Sequence, residues 1–285
     1  MSFSSRRLGA VTGVLACLPV LVGFNSALAG ETRRVEGLEF RQVVLVGSTE
    51  VEISQGDMHE LQLKGDREDL DKEPFYVSGG GLLVLGKSKK YRKTYPNVRF
   101  RVVLPTLEKV RVNGSGMAYV KPFVLDETED GYPQFIVDGS GDIKLYGIEG
   151  PGAELRVKGS GDIKAAAVEV GDLEAVVSGS GDLYIGKVMC ESGEFIVTGS
   201  GDLTITETSD VRQLEVNVVG SGDASLPELS AERAEVNVVG SGTVVVGELR
   251  EQLNASVLGS GSVLYRGEPE VDKVELGSGE VSRRK

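Results

Sequence analysis

The sequence predicts an all-β protein, a right-handed parallel β-helix wound from coils of about 20 residues, with an all-β opening segment ahead of it. Three observations lead there. First, the tripeptide Gly-Ser-Gly occurs nine times, starting at Gly114, Gly139, Gly159, Gly179, Gly199, Gly220, Gly240, Gly259 and Gly277. Its spacings are 25, 20, 20, 20, 21, 20, 19 and 18 residues, a near-constant period that marks stacked units. Second, the residues before each triplet alternate: Phe135/Val137, Leu155/Val157, Phe195/Val197 and Val216/Val218 share one parity. After the triplet the alternation resumes with Ile143/Leu145, Ile163/Ala165, Leu183/Ile185 and Leu203/Ile205, so each unit carries strands with one buried face. Third, nothing between these strands has helical periodicity, which excludes a leucine-rich repeat, and the unit is too short for a propeller blade. The right-handed sense follows the usual handedness of parallel crossovers.

The chain opens on a leader. Arg6 and Arg7 form a basic start, Leu8 to Phe24 are largely apolar, and Ala27-Leu28-Ala29 is a small-x-small cleavage site ahead of Gly30. The expectation is therefore export, to the periplasm or cell envelope, with cleavage after Ala29. Lipidation at Cys17 is the less favoured alternative, because Leu15 fits that site poorly and the apolar run continues past it. Cleavage leaves 29 basic and 43 acidic residues, net −14, which argues against nucleic acid as a partner. It also leaves Cys190 as the single cysteine, so no intramolecular disulfide can form, and the bland reading is a small core or surface thiol.

Residues 30–109 read as a β segment packed on or continuing the solenoid. Strands are expected at Phe40 to Val46, Val51 to Ile53, Glu60 to Leu63, Leu82 to Leu85 and Val98 to Leu104, with turns at Gly47-Ser48, Gly56-Asp57, Gly65-Asp66 and Gly79-Gly80-Gly81. The repeat β-helix is expected over 110–285. Carrying the strand parity through the triplet points both glycines inward and the serine and following residue outward, where a glycine lets neighbouring backbones approach closely. An acidic insertion from Asp126 to Gln134 accounts for the spacing of 25 and reads as a loop on one side of the stack. At the far end, either the charged tail Arg283-Arg284-Lys285 blunts the last coil or the exposed end pairs with another copy.

The opening Phe40-Arg41-Gln42-Val43-Val44-Leu45-Val46-Gly47, then Val51-Glu52-Ile53-Ser54-Gln55-Gly56, the Gly81 to Leu85 stretch and the Gly-Ser-Gly ladder together resemble the auto-transporter adhesin, head GIN domain, family. The resemblance covers nearly all of the chain after the leader. It implies an envelope protein of Gram-negative bacteria with a β-helix-like fold and brings no catalytic residues. This chain departs from compact members in its longer ladder and its acidic insertion.

Two groups of residues are candidates for chemistry. Asp142, Asp162, Asp182, Asp202 and Asp223 follow five successive triplets and would form one external column, where like charges repel unless water, hydroxyls or cations intervene. Calcium suits hard oxygen ligands, yet one Asp per 20 residues does not match the nine-residue calcium-binding repeat. Hydrogen bonding at the corner is the simpler role. A polysaccharide lyase or hydrolase could use such carboxylates as acid and base, but it needs one of them held in a shaped cleft with a raised pKa. The chain has no Trp for sugar stacking, and its one histidine, His59, stands outside the ladder in an expected turn.

The second group is Lys87, Lys89, Lys90, Arg92 and Lys93, interleaved with Tyr91 and followed by Arg99 and Arg101. It could hold an anionic envelope glycan or a phosphate group, against the blander reading of a solvated hairpin loop. The function these residues support is a non-enzymatic surface for adhesion to an envelope or host glycan or protein. The enzyme is one alternative. The other is a periplasmic scaffold that self-associates through coil ends or sheet faces.

Overall fold

The computed structural model describes residues 30–128 and 131–284, and the expected leader, with Ala29 and Cys17, lies outside them. The chain is a parallel β-solenoid of about eight turns. Successive coils pair in parallel with their first glycines aligned, from Gly114 opposite Gly139 through to Gly259 opposite Gly277. A second run of strands follows each triplet, from Met117–Val120 and Asp142–Leu145 to Ser262–Gly267 and Glu280–Arg283. A third run closes the coil, aligning Ile148 with Val168 and Val168 with Val188. The spacings of 19 and 18 fall beside register shifts between Ala231 and Arg233 and between Val245 and Glu248, so length changes are absorbed outside the triplet strands.

The interior is filled by the apolar parity. Phe135, Leu155, Ala175, Phe195, Val216 and Val236 form one buried column, and Val137, Val157, Val177, Val197, Val218 and Val238 form the next. The small Ala175 stands between Leu155 and Phe195 in the first column, which leaves room for the Phe195 ring beside it. Burying these faces coil on coil is the main stabilising term, because no single coil covers its own inner side.

The triplet departs from the expected geometry at one residue. The second glycine is buried, as at Gly141, Gly161 and Gly181, and the serine between is exposed. The first glycine is not turned inward. It sits at the corner at positive φ, between +119° and +135° from Gly114 to Gly277, a conformation that interrupts the strand parity and favours glycine. Its carbonyl oxygen then accepts two N–H groups from the next coil: Gly159 receives Ser180 at 2.9 Å and Gly181 at 3.0 Å.

The stack reaches back beyond Gly114. Gln42–Gly47 pairs in parallel with Lys109–Gly114, with Gly47 opposite Gly114, and Glu50–Gln55 pairs with Met117–Val120. Here the corner reads Gly47-Ser48-Thr49, and the buried Thr49 hydroxyl donates to the carbonyl of Val98. On its other side the same coil pairs with Leu82–Leu85 and Arg99–Leu104. Space and sequence therefore run in different orders, since the coil built from 82–104 lies outside the coil built from 42–55. Antiparallel strands finish this end: Glu60–Gly65 on Arg99–Leu104, Glu31–Val35 on Glu60–Gly65, and Phe75–Ser78 on Leu82–Leu85. A single helical turn, Arg67–Leu70, sits among them.

The opposite end has no such cover among the described residues. In Glu270–Gly277 the interior positions opposite Ala255 and Val257 hold Lys273 and Glu275. Lys273 Nζ bonds Glu275 Oε1 at 2.9 Å and the Val281 carbonyl at 3.2 Å, and the Val281 N–H donates to Glu275 Oε1 at 2.6 Å.

Candidate functional site

The aspartate column forms as expected, and its geometry gives it a structural task. Oδ1 of each Asp accepts the backbone N–H of the residue one coil on: Asp142 from Asp162 at 3.0 Å, Asp162 from Asp182 at 3.2 Å, Asp182 from Asp202 at 2.9 Å and Asp202 from Asp223 at 2.9 Å. Asp223 closes the series by accepting from Thr243 at 2.7 Å. Where the preceding coil offers no Asp, the N–H turns to a glycine carbonyl instead, Asp142 to Gly116 at 3.0 Å and Ser262 to Gly242 at 3.2 Å. The carboxylates thus take over a backbone bond at this corner, and a peptide N–H stands between each pair of like charges.

Two of the outer oxygens are also occupied. Lys164 Nζ lies 3.2 Å from Asp162 Oδ2, and the Tyr184 hydroxyl donates to Asp182 Oδ2 at 2.9 Å. That hydrogen bond, with desolvation and the neighbouring aspartates, pushes the Tyr184 pKa up to about 12. Among the described residues no three His, Cys, Asp or Glu side chains come together as a metal-holding group.

The basic residues divide. Lys89, Lys90, Arg92 and Lys93 are exposed on a tight loop closed by the bridge between half-buried Lys87 and Thr94, with Arg92 at φ +53°. The loop is held internally by Ser88 N–H to the Lys93 carbonyl at 3.3 Å, and Lys90 Nζ lies 5.1 Å from the Tyr91 ring centre. Arg99 and Arg101 are not part of it. They lie on a strand and pair with Glu50 at 3.1 Å and Glu52 at 2.8 Å on the adjacent coil. Cys190 is half-buried, and burial, then Asp172 and Asp210, pushes its thiol up to about 12, so it stays protonated.

Two further columns appear that sequence reasoning did not single out. Five residues ahead of the triplets, Glu154, Glu174, Glu194, Glu215 and Glu235 are in register. Arg156 bridges the first two, bonding Glu154 at 3.1 Å and Glu174 at 2.7 Å, whereas desolvation and then Glu215 and Glu174 raise the Glu194 pKa. One residue ahead of the triplets, the outward column is polar through Ser178 and Thr198, then turns to exposed Val219, Val239, Leu258 and Leu276. Both are legible by counting back from each glycine.

His59 is not a free surface residue. It is half-buried, its ring edge meets the Phe40 ring with centres 5.0 Å apart, and Nε2 lies 2.8 Å from the Phe40 carbonyl. It lines a concavity of about 650 Å³ at the capped end, with Arg41, Gln42, Glu108, Tyr132 and Gln134. Tyr132 comes from the acidic insertion and is pinned there, its ring lying where a Cβ on Gly152 would sit and its hydroxyl donating to Asp172 at 2.6 Å.

A family model described as "Putative auto-transporter adhesin, head GIN domain" matches residues 39–269. Solved structures share the fold. A protein of Parabacteroides distasonis described as a putative lipid binding protein aligns with a TM-score of 0.65 at 24% identity, over 90% of this chain and 97% of its own. A putative adhesin of Parabacteroides merdae aligns with a TM-score of 0.66 at 13% identity, over 90% and 96%. A putative adhesin of Parabacteroides distasonis aligns with a TM-score of 0.62 at 18% identity, over 90% and 97%. A search of curated proteins found no match.

Proposed function

Since this chain belongs to the family described as putative auto-transporter adhesin, head GIN domain, we propose that it is an exported, non-enzymatic β-solenoid that presents its surface for adhesion at the cell envelope. The observation that carries this reading is the aspartate ladder. An acid and a base must differ in environment, one carboxyl kept protonated and the other ionised. Here each Asp is spent on the same backbone hydrogen bond as its neighbours, which supports a load-sharing seam over a lyase or hydrolase pair. The capping of both ends likewise favours a binding surface over a scaffold joined through coil ends.

The test is to apply the purified mature chain to immobilised envelope polysaccharides and host-surface glycoproteins, with and without calcium, and to read both retention and glycan chain length. Retention with unchanged chain length is expected. Calcium-dependent shortening that disappears in the Asp162→Asn, Asp182→Asn double variant would overturn the reading. Export is checked by intact mass after expression with the leader. The mature N-terminus is expected at Gly30, and a lipid adduct on Cys17 would replace that assignment.

A further inference from the structure

The two places where the chain breaks its own repeat meet at one point. The insertion that lengthens one spacing to 25 supplies Thr128 and Tyr132, and the out-of-order capped end supplies Phe40, Arg41, His59 and the Gly80-Gly81 turn. Between them lies the concavity of about 650 Å³, within the size range of small-molecule sites. Its floor is the beginning of the pre-triplet strands. Gln42, Lys109 and Gln134 stand in register there, so their side chains repeat at the strand spacing of roughly 4.8 Å.

The lining decides the class of ligand. Glu39 and Glu108 balance Arg41 and Lys109, so on a strongly acidic chain this hollow is locally neutral. Glu108 is fixed by Arg41 at 3.3 Å and by Gln42 at 3.1 Å, and Gln134 by Glu154 at 2.8 Å, which holds these groups in set directions. With Arg41 and Glu108 paired to each other and Lys109 offset by Glu39, the lining offers neither an anion nor a cation a surplus of counter-charge. An apolar ligand would strip water from amide, carboxylate and guanidinium groups and give nothing back. What fits is an uncharged molecule dense in hydroxyls, with a flat C–H face for an aromatic ring.

The rings are present. Tyr132 is held in place by Gly152 and Asp172. His59 donates from Nε2, because the Phe40 carbonyl only accepts, and that bond fixes the direction of its ring in the lining. We propose that this concavity binds an uncharged saccharide, two or three sugar rings long, through the side chains of Gln42, Gln134 and the neighbouring Glu108 and through the Tyr132 ring. The proposal deepens the adhesin-like reading and rests on it for its biological setting only.

The test is calorimetric titration of the mature chain with maltotriose, cellotriose, mannotriose and triacetylchitotriose, with a trigalacturonate as the anionic comparison. At least one neutral trisaccharide is expected to bind with a Kd of about 1 mM or tighter. Tyr132→Ala and Gln134→Ala should each weaken it at least tenfold, and Lys158→Ala, exposed and away from the concavity, should leave it unchanged. Because Tyr132→Ala releases the insertion, Arg41→Ala is the check on folding: its side chain is 65% exposed, so the fold survives while its hold on Glu108 is lost, and a severalfold loss is expected. Binding of trigalacturonate alone, equal affinity in the Tyr132 and Gln134 variants, or no neutral binding would each overturn the site. If retention on immobilised surfaces persists while no trisaccharide binds, the site is wrong and the adhesive reading stands. If both are lost, both fall.

Discussion

At each corner a glycine carbonyl oxygen lies where the next coil's side chain would begin. A Cβ on Gly181 would fall 2.0 Å from the Gly161 oxygen, which is backbone and cannot swing aside as the end of a side chain could. Gly181→Ala is therefore expected to cost about 3 kcal/mol, the upper range for overpacking, whereas the exposed Ser180→Ala should stay within about 0.5 kcal/mol. Urea midpoints of the two variants check this. The aspartates next to them separate charge from hydrogen bonding. Asp182→Asn keeps an Oδ1 acceptor for the Asp202 N–H and should be near neutral in stability. Asp182→Ala leaves that N–H without its acceptor and should cost about 1 kcal/mol by the same measurement.

Tyr184 carries a pH dependence. Its folded pKa of about 12 lies above the value of about 10 for an unfolded chain, and the protonated form is the neutral one. Its contribution is complete below pH 10 and is lost as pH rises through about 12, since the unfolded state gives up the proton first. Ultraviolet titration should show a late phase to which Tyr119 and Tyr132, also raised, contribute, and that phase should shrink by one phenol in Tyr184→Phe.

At the level of elements, the two ends of the stack are closed by different means. Antiparallel strands cover one, and an inward-facing Lys273 and Glu275 close the other, an arrangement that blunts an edge by placing charge where a further coil would need apolar contact. Replacing both with Val would extend the columns of Ala255 and Val257 and leave the end apolar. The expected result is concentration-dependent end-to-end association, read by sedimentation, with the unaltered chain not associating through this end. Glu275 is held below the usual carboxylate range, first by the Val281 N–H and then by Lys273, so the closure persists at a pH where an ordinary carboxylate would already be protonated.

Most of the repeat was legible in the sequence, because period and parity are local properties that each coil restates. The Gln42 coil was less so, since Thr49 replaces its second glycine and its two neighbours in space, 82–104 and 109–120, both come later in the chain. The inward turn expected of the first glycine failed for a backbone reason: a residue at positive φ breaks the two-residue alternation. Tyr132 and His59 lie in segments with no period, so nothing in the sequence relates them until the fold brings their segments together.

Taken as a whole molecule, the solenoid draws nearly all its stability from neighbour contacts, and its outer columns are surfaces whose chemistry changes along the axis. The glutamates give way to Asn254, and the column beside the triplet changes from hydroxyls to aliphatic side chains over the last four coils. The stacking order also has a bearing on how the protein is made. A chain that emerges from its N-terminus first presents Gln42 to Gln55, yet both neighbours of that coil lie between residues 82 and 120. Growth by adding each coil to the one before cannot begin there. The nascent segment gains its first neighbour only once residue 104 has appeared and its second only some 65 residues after Gln55, when a seed of three coils is complete. After that seed, every later coil finds its template already in place.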